Sequence, residues 1–278
     1  MTATTTPPST HYQDTHPHNP ADTHPPPPHH PLTDREQALA WLDAERENLI
    51  ATAHAEGTTQ ATLSLGFSLG RYLLHRRRLQ DLVTIRSLAL DASTAPGANQ
   101  AGAWNNLGLA LREVRRFDEA IDAHQKALTL HQQTGDTHSS AAAWNNLGLA
   151  LHGARRFDEA IDAHQKSLTL HQHVDIHNEA GARNNLGTAL RAVRRFDEAI
   201  DAGERAAAML AAEGDWFLTG EAWEELATTL DAAGADPART KKAWERSAAA
   251  YTQAGATEEA ETSRAHTDDP PPPQSSNE

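Results

Sequence analysis

The chain has 278 residues, no cysteine, and a net charge of −14 from 24 basic and 38 acidic side chains. Without cysteine there are no disulfide frameworks, thiol nucleophiles or Cys-ligated zinc or iron–sulfur sites. The acidic balance argues against a general nucleic-acid binder, which needs a basic footprint to displace phosphate counterions.

Residues 1–31 hold nine of the fifteen prolines, six of the seventeen histidines and no Lys or Arg. Such a segment buries too little apolar surface to offset its ordering entropy, so 1–32 is expected to be a disordered Pro/His-rich tail. The same reasoning makes 267–278, with its four consecutive prolines, a second disordered tail. The N-terminus has neither a basic nor an apolar signal-peptide region. The longest apolar run, Ala206 to Ala212, is too short for a membrane span. A cytoplasmic protein with no membrane partner is expected.

Thr33 and Glu36 have capping-box spacing and open a helix over 33–57, which Gly57 stops. Beyond it a repeat governs the chain. Residues 103–132 and 143–172 differ at only four of 30 positions, and a third copy starts at Ala182. Each copy reads as helix–turn–helix. Trp104, Leu107, Gly108 and Leu111 fall on one face of the first helix, and Ala120, Ile121, His124, Ala127 and Leu128 on one face of the second. The glycines Gly108, Gly148 and Gly187 cost helix propensity, roughly 1 kcal/mol each, and are expected to permit close helix approach. Between the helices stand Arg115 and Arg116, then Asp118 and Glu119, placed to complement the helix dipoles. The units are 98–136, 137–176 and 177–215, flanked by degenerate copies at 58–97 and 216–256 and closed by a capping helix at 257–266. No β pattern competes.

Trp104, Leu107, Gly108, Leu111 and Ala120 in this spacing resemble the tetratricopeptide repeat (TPR). The period of 40 then 39 residues, longer than the usual 34, resembles the kinesin-light-chain and bacterial signalling subclass. The segment from Ala38 to Ile50 resembles the start of the C-terminal TPR region in actinobacterial pathway-specific regulators and NB-ARC-type signalling ATPases. Here it stands without their DNA-binding and ATPase domains, and there is no Gly-Lys pair for a phosphate loop. The resemblance implies an all-α, right-handed TPR superhelix (α-solenoid) of about five helix pairs plus terminal capping helices.

In the resembling family, first-helix residues line a concave ligand groove. On that face this chain repeats Asn105, Leu109 and Arg112, then Asn145, Leu149 and His152, then Asn184, Thr188 and Arg191. A carboxamide both donates and accepts, so the asparagines suit the backbone of an extended peptide. Equally, they could bond neighbouring repeats and only set the superhelix. Arg112 and Arg191 suit carboxylates, or form a solvated helix surface. The paired histidines His124/His131 and His164/His171, and the group His171, His173, Asp175 and His177, have zinc-compatible chemistry. They are read instead as packed repeat positions, so no metal and no cofactor is expected. Gly66 to Gly70 formally matches a hydrolase nucleophile elbow around Ser68, but lies within a predicted helix and not in the strand–turn–helix that motif needs. The expectation is a non-catalytic adaptor that binds a protein or peptide in the concave groove and serves bacterial regulation or assembly. The alternative is a module sensing a ligand or signal peptide for a transcriptional or ATPase partner, and a hydrolase stands a distant third.

Overall fold

The computed structural model describes residues 34–57, 60–93, 98–171 and 175–268. The expected tails lie outside these, apart from 267 and 268. The described residues contain twelve helices and no strand. They fall into two units. The first, up to Ala44, holds the opening of α1 (Arg35–Glu56), where Asp34 Oδ1 accepts the Glu36 N–H at 2.9 Å. Thr33 of the expected capping box is outside the described residues.

The second unit, from Glu45, holds the rest of α1, ended by Gly57 at φ +62°. Then α2 (Gln60–His75) packs on α3 (Leu79–Ala92), α4 (Ala98–Glu113) on α5 (Phe117–Thr134), and α6 (Thr137–Gly153) on α7 (Phe157–His171). Next, α8 (Ile176–Ala192) packs on α9 (Phe196–Glu213) and α10 (Trp216–Ala232) on α11 (Pro237–Ala254). These five pairs form an α-solenoid. Its last helix, α12 (Thr257–Asp268), runs two residues into the expected tail. His266 in its last turn stacks on Trp244 with ring centroids 4.1 Å apart, which holds that end against α11. The first helices α4, α6, α8 and α10 also touch one another in succession, so they share the inner side, and the second helices flank it.

The turn inside each pair is left-handed at one residue. Arg77, Arg115, Arg155 and Arg194 have φ of 55, 62, 62 and 63°. The Arg115 N–H bonds the Arg112 carbonyl and the Arg116 N–H the Leu111 carbonyl, both at 2.9 Å, which closes the helix end. An L-residue resists this conformation by roughly 1–2 kcal/mol. Flanking contacts hold it. The guanidinium carbons of Arg115, Arg155 and Arg194 lie 6.0, 5.5 and 5.6 Å from the ring centres of Phe117, Phe157 and Phe196. Arg116, Arg156 and Arg195 clasp Glu119, Glu159 and Glu198 through two hydrogen bonds each. The arginine pairs therefore do more than complement helix dipoles. The last pair uses glycine at this point, Gly234 at φ 65°.

Within the first two clear pairs an imidazole lies on a bare backbone. A Cβ on Gly108 would stand 2.6 Å from His124 Cε1, and one on Gly148 2.5 Å from His164 Cε1. Both histidines are fully buried. In the third clear pair the ring is replaced by Gly203, whose Cβ position faces Leu226 Cδ1 of α10 at 3.4 Å.

This predicts coupling. Gly148→Ala should destabilise by about 1–3 kcal/mol through overpacking. In a His164→Ala background, which removes the ring, the same change should cost less than about 0.5 kcal/mol. Urea unfolding of the double-mutant cycle measures this, and additive effects would show that the ring is not what excludes the Cβ.

Candidate functional site: the inner face of the first helices

On α4, α6 and α8, Asn105, Leu109 and Arg112, Asn145, Leu149 and His152, and Asn184, Thr188 and Arg191 are all half-buried. The helices therefore bring the nine residues expected from the sequence onto surfaces that solvent partly reaches. The hydrogen bonds among them are specific. His124 Nδ1–H donates to Asn105 Oδ1 at 3.1 Å, and Asn146 Nδ2 of the next repeat donates to the same oxygen at 3.1 Å. One repeat on, His164 Nδ1–H donates to Asn145 Oδ1 at 2.9 Å and Asn185 Nδ2 at 3.1 Å.

The second asparagine of each pair thus reaches back to the first asparagine of the preceding repeat. Both lone pairs of Asn105 Oδ1 and of Asn145 Oδ1 are taken. The bridging role is present at the oxygens, while the Nδ2 groups of Asn105 and Asn145 meet no acceptor among the described residues. The carboxamides present a donor to this face, not the donor–acceptor pair expected from the sequence. The ladder stops at Asn184. Gly203 supplies no imidazole and the next repeat has Glu225 instead of asparagine, so Asn184 Oδ1 is buried without a hydrogen bond.

Glu225 closes the next seam differently. It accepts from Arg191 Nη2 at 2.7 Å, Arg191 Nε at 3.2 Å and Thr188 Oγ1 at 2.9 Å, all to Oε1. Arg112 pairs with Glu113 on its own helix at 3.2 Å. Both arginines therefore already have carboxylate partners. His152 sits edge-on to Phe157, with ring centres 5.2 Å apart. From the sequence, Asn146 and Asn185 stand out only as the second members of the repeated asparagine pairs and His124 and His164 only as packed repeat positions, while Glu225 is not singled out. The readable signal was joint loss: the third clear repeat lacks the histidine where the fourth lacks the asparagine.

The second helices carry another periodic pair. Lys126 lies over Trp104 at 4.1 Å, Lys166 over Trp144 at 4.4 Å and the Arg246 guanidinium over Trp223 at 4.5 Å. Two clefts of about 370 and 390 Å³ flank Trp144 and Lys166 between α5 and α7. Among the described residues no three His, Asp or Glu side chains are grouped to hold a metal. The side chain of His171, and His173 altogether, lie outside the described residues. The segment Gly66 to Gly70 lies in the middle of α2, where Ala89 and Arg86 press on its two glycines. No described helix is long and apolar enough to cross a membrane.

Residues 99–173 and 180–212 match models of the tetratricopeptide repeat. With the five helix pairs, these matches define a tetratricopeptide-repeat protein. No curated protein matches the chain in sequence. Solved structures share its fold. A Podospora anserina kinesin light chain with nearly identical TPR-like repeats is 15% identical, covers 69% of this chain and 96% of its own, and has a TM-score of 0.60. A signal-transduction ATPase with a tetratricopeptide-repeat sensor from Pyrococcus horikoshii is 13% identical with a TM-score of 0.64, over 84% of this chain and 38% of its own. Bacillus thuringiensis PlcR, solved with the peptide PapR7 and DNA, is 13% identical with a TM-score of 0.56, over 72% and 73% of the two chains.

Two predictions follow from the ladder and its histidines. Asn146→Ala should cost about 0.5–1.5 kcal/mol of stability by losing one rung. Asn106→Ala should cost less, because the preceding repeat has Phe67 at the matching position and Asn106 makes no side-chain bond among the described residues. Chemical unfolding of the two variants decides, and equal losses would remove the ladder from the account of stability.

The second concerns pH. Burial lowers the His124 pKa to about 3, helped by nearby Arg112, and burial with the neighbouring His152 lowers that of His164 to about 4. Burial also lowers His131 and His152. A histidine whose folded pKa is depressed takes up its proton on unfolding, so its contribution is complete above pH 6.5 and is lost as pH falls below that. Glu221, held above its ordinary value by burial, opposes this at the acidic edge. Melting temperature should fall from pH 7 to pH 5, and His124→Gln/His164→Gln should flatten that slope. An unchanged slope in the double variant would place the proton uptake elsewhere.

Proposed function

We propose that this protein is a non-catalytic adaptor that holds a protein or peptide segment, in extended form, along the inner face of its first helices. The ligand-facing residues in this reading are Asn105, Leu109, Arg112, Asn145, Leu149, His152, Asn184, Thr188 and Arg191. The observation that carries it is the pair of Nδ2 groups, on Asn105 and Asn145, that meet no acceptor among the described residues, repeated beside half-buried Leu109 and Leu149. Donors at a fixed repeat suit backbone carbonyls, and the leucines offer apolar contact between them. The seam Thr188–Arg191–Glu225 then borders the face with a compensated charge. PlcR, which shares the fold, was solved with a peptide. The same reading places the adaptor in the cytoplasm, in bacterial regulation or assembly, acting through its partner without cofactor or reaction of its own.

The test is selection from a displayed library of random ten-residue peptides, followed by fluorescence anisotropy on the recovered sequences. Leu109→Glu/Leu149→Glu should weaken them at least tenfold, about 1.4 kcal/mol, with melting temperature unchanged. Recovered peptides that bind this variant as well as the parent would overturn the assignment of the inner face.

A further inference from the structure

The first helix pair breaks the pattern of charge. Residues 57–92 carry five arginines, Arg71, Arg76, Arg77, Arg78 and Arg86, against two carboxylates, Asp81 and Asp91, in a chain of net charge −14. In the three clear pairs the second turn arginine is clasped by a glutamate three residues on, as Arg116 is by Glu119. Here the matching acid is Asp81, and it is drawn away to Arg46, whose Nη1 lies 2.8 Å from its Oδ2. The guanidinium groups of Arg71, Arg77, Arg78 and Arg86 meet no carboxylate among the described residues.

Arg86 is the most unusual of these. It occupies on α3 the place that His124 and His164 hold on α5 and α7, with its guanidinium against Gly70. It is half-buried, and its Cζ stands 5.9 Å from the Phe67 ring centre. Every other occupant of this position, His124, His164, Gly203 or Trp244, is neutral or uncharged in its setting, so only the first pair puts a fixed cation there.

The face above this cation is open. Phe67, Arg71 and Leu74 follow at i, i+4 and i+7 on α2, at the repeat positions of Asn105, Leu109 and Arg112. Phe67 is 41% and Leu74 42% exposed, and Arg71 is exposed as well. The exposed apolar surface of Phe67 and Leu74 lies beside Arg71 and Arg86, whose guanidinium groups meet no carboxylate among the described residues, and an apolar patch rimmed by polar groups marks an interaction site.

Resting on the adaptor reading above, we infer that α2 and α3 form the end of the ligand face that takes an acidic peptide segment bearing an apolar side chain. The apolar side chain lies on Phe67 and Leu74, and carboxylates meet Arg71 and Arg86. A partner of this chemistry complements both features at once, whereas a purely anionic polymer would leave Phe67 and Leu74 unused.

The experiment uses the full chain and two fluorescein-labelled pools of ten-residue peptides. One pool alternates Glu with Leu or Phe, and the other replaces every Glu by Gln. The acidic pool should bind at least thirtyfold tighter in low salt and lose that advantage in 0.5 M salt. Phe67→Gln/Arg71→Gln, at exposed positions that do not threaten folding, should remove at least tenfold of the difference. Arg86→Met, checked by its melting temperature, should do the same, while Arg116→Gln/Arg156→Gln should leave it intact. Equal affinity for the two pools, no effect of Phe67→Gln/Arg71→Gln, or equally tight binding of a single-stranded oligonucleotide would each overturn the inference. Leu109→Glu/Leu149→Glu is measured alongside. Its effect reports on the adaptor reading as a whole, so failure of that reading is distinguishable from failure of this end of the face.

Discussion

The contact on which the central repeats and their seams depend is an imidazole lying on a glycine backbone. Gly108 lets α4 and α5 approach until only the His124 ring separates them, and Gly148 does the same for α6 and α7 with His164. A ring so placed is buried, and its Nδ1–H must find an acceptor away from water. Asn105 and Asn145 supply it through Oδ1. That oxygen has a second lone pair, and the next repeat fills it with Asn146 or Asn185. A packing contact within one pair thereby sets the polar bond between pairs. The dependence shows where it ends. Without a ring at Gly203, Asn184 Oδ1 is left unbonded, and the following seam passes to Arg191 and Glu225.

Charge is handled locally in the same way. In the three clear repeats each turn arginine has its own neighbour, a phenylalanine ring for the first and a glutamate for the second. Exposed ion pairs of this kind contribute little to stability. Their effect is to leave the turn electrically quiet. In the first pair Asp81 is engaged by Arg46, and Arg71, Arg77, Arg78 and Arg86 meet no carboxylate among the described residues, beside exposed apolar surface. The inner face is consequently not uniform: it is cationic and apolar on α2, carboxamide-rich on α4 and α6, and salt-bridged at the seam of α8 with α10.

Much of this was legible in the sequence because packing and helix ends obey short-range rules. The 3.6-residue spacing of Trp104, Leu107, Gly108 and Leu111 gave the helix face, and the glycine signalled the close approach found against His124. Five pairs and a closing helix could be counted from recurrence alone. What could not be read were choices between partners of equal chemistry. An asparagine facing inward can serve a ligand or a neighbour, and only the placement of His124 and Asn146 around one oxygen resolves how Oδ1 is used. Arg191 looked open to a ligand because Glu225 lies 34 residues away in the next copy, and spacing along the chain does not say which side chains meet across a seam. The left-handed arginines were equally hidden, since that conformation is usually marked by glycine, as at Gly234.

The ladder's directionality also bears on how many repeats such a chain can hold. Each rung joins the first asparagine of one copy to the second asparagine of the next, and residues 103–142 carry both halves of that joint. A duplicate of this stretch, placed directly after it, would find an acceptor behind it and a donor ahead without any change to its neighbours. Nothing within the ladder counts the copies. Only the two ends do, through Phe67, which offers no acceptor, and Glu225, which offers no donor. The near-identity of the two central copies is compatible with such freedom to lengthen by whole units, and the length of the ladder, as distinct from that of the solenoid, is set by the odd residues at its two ends.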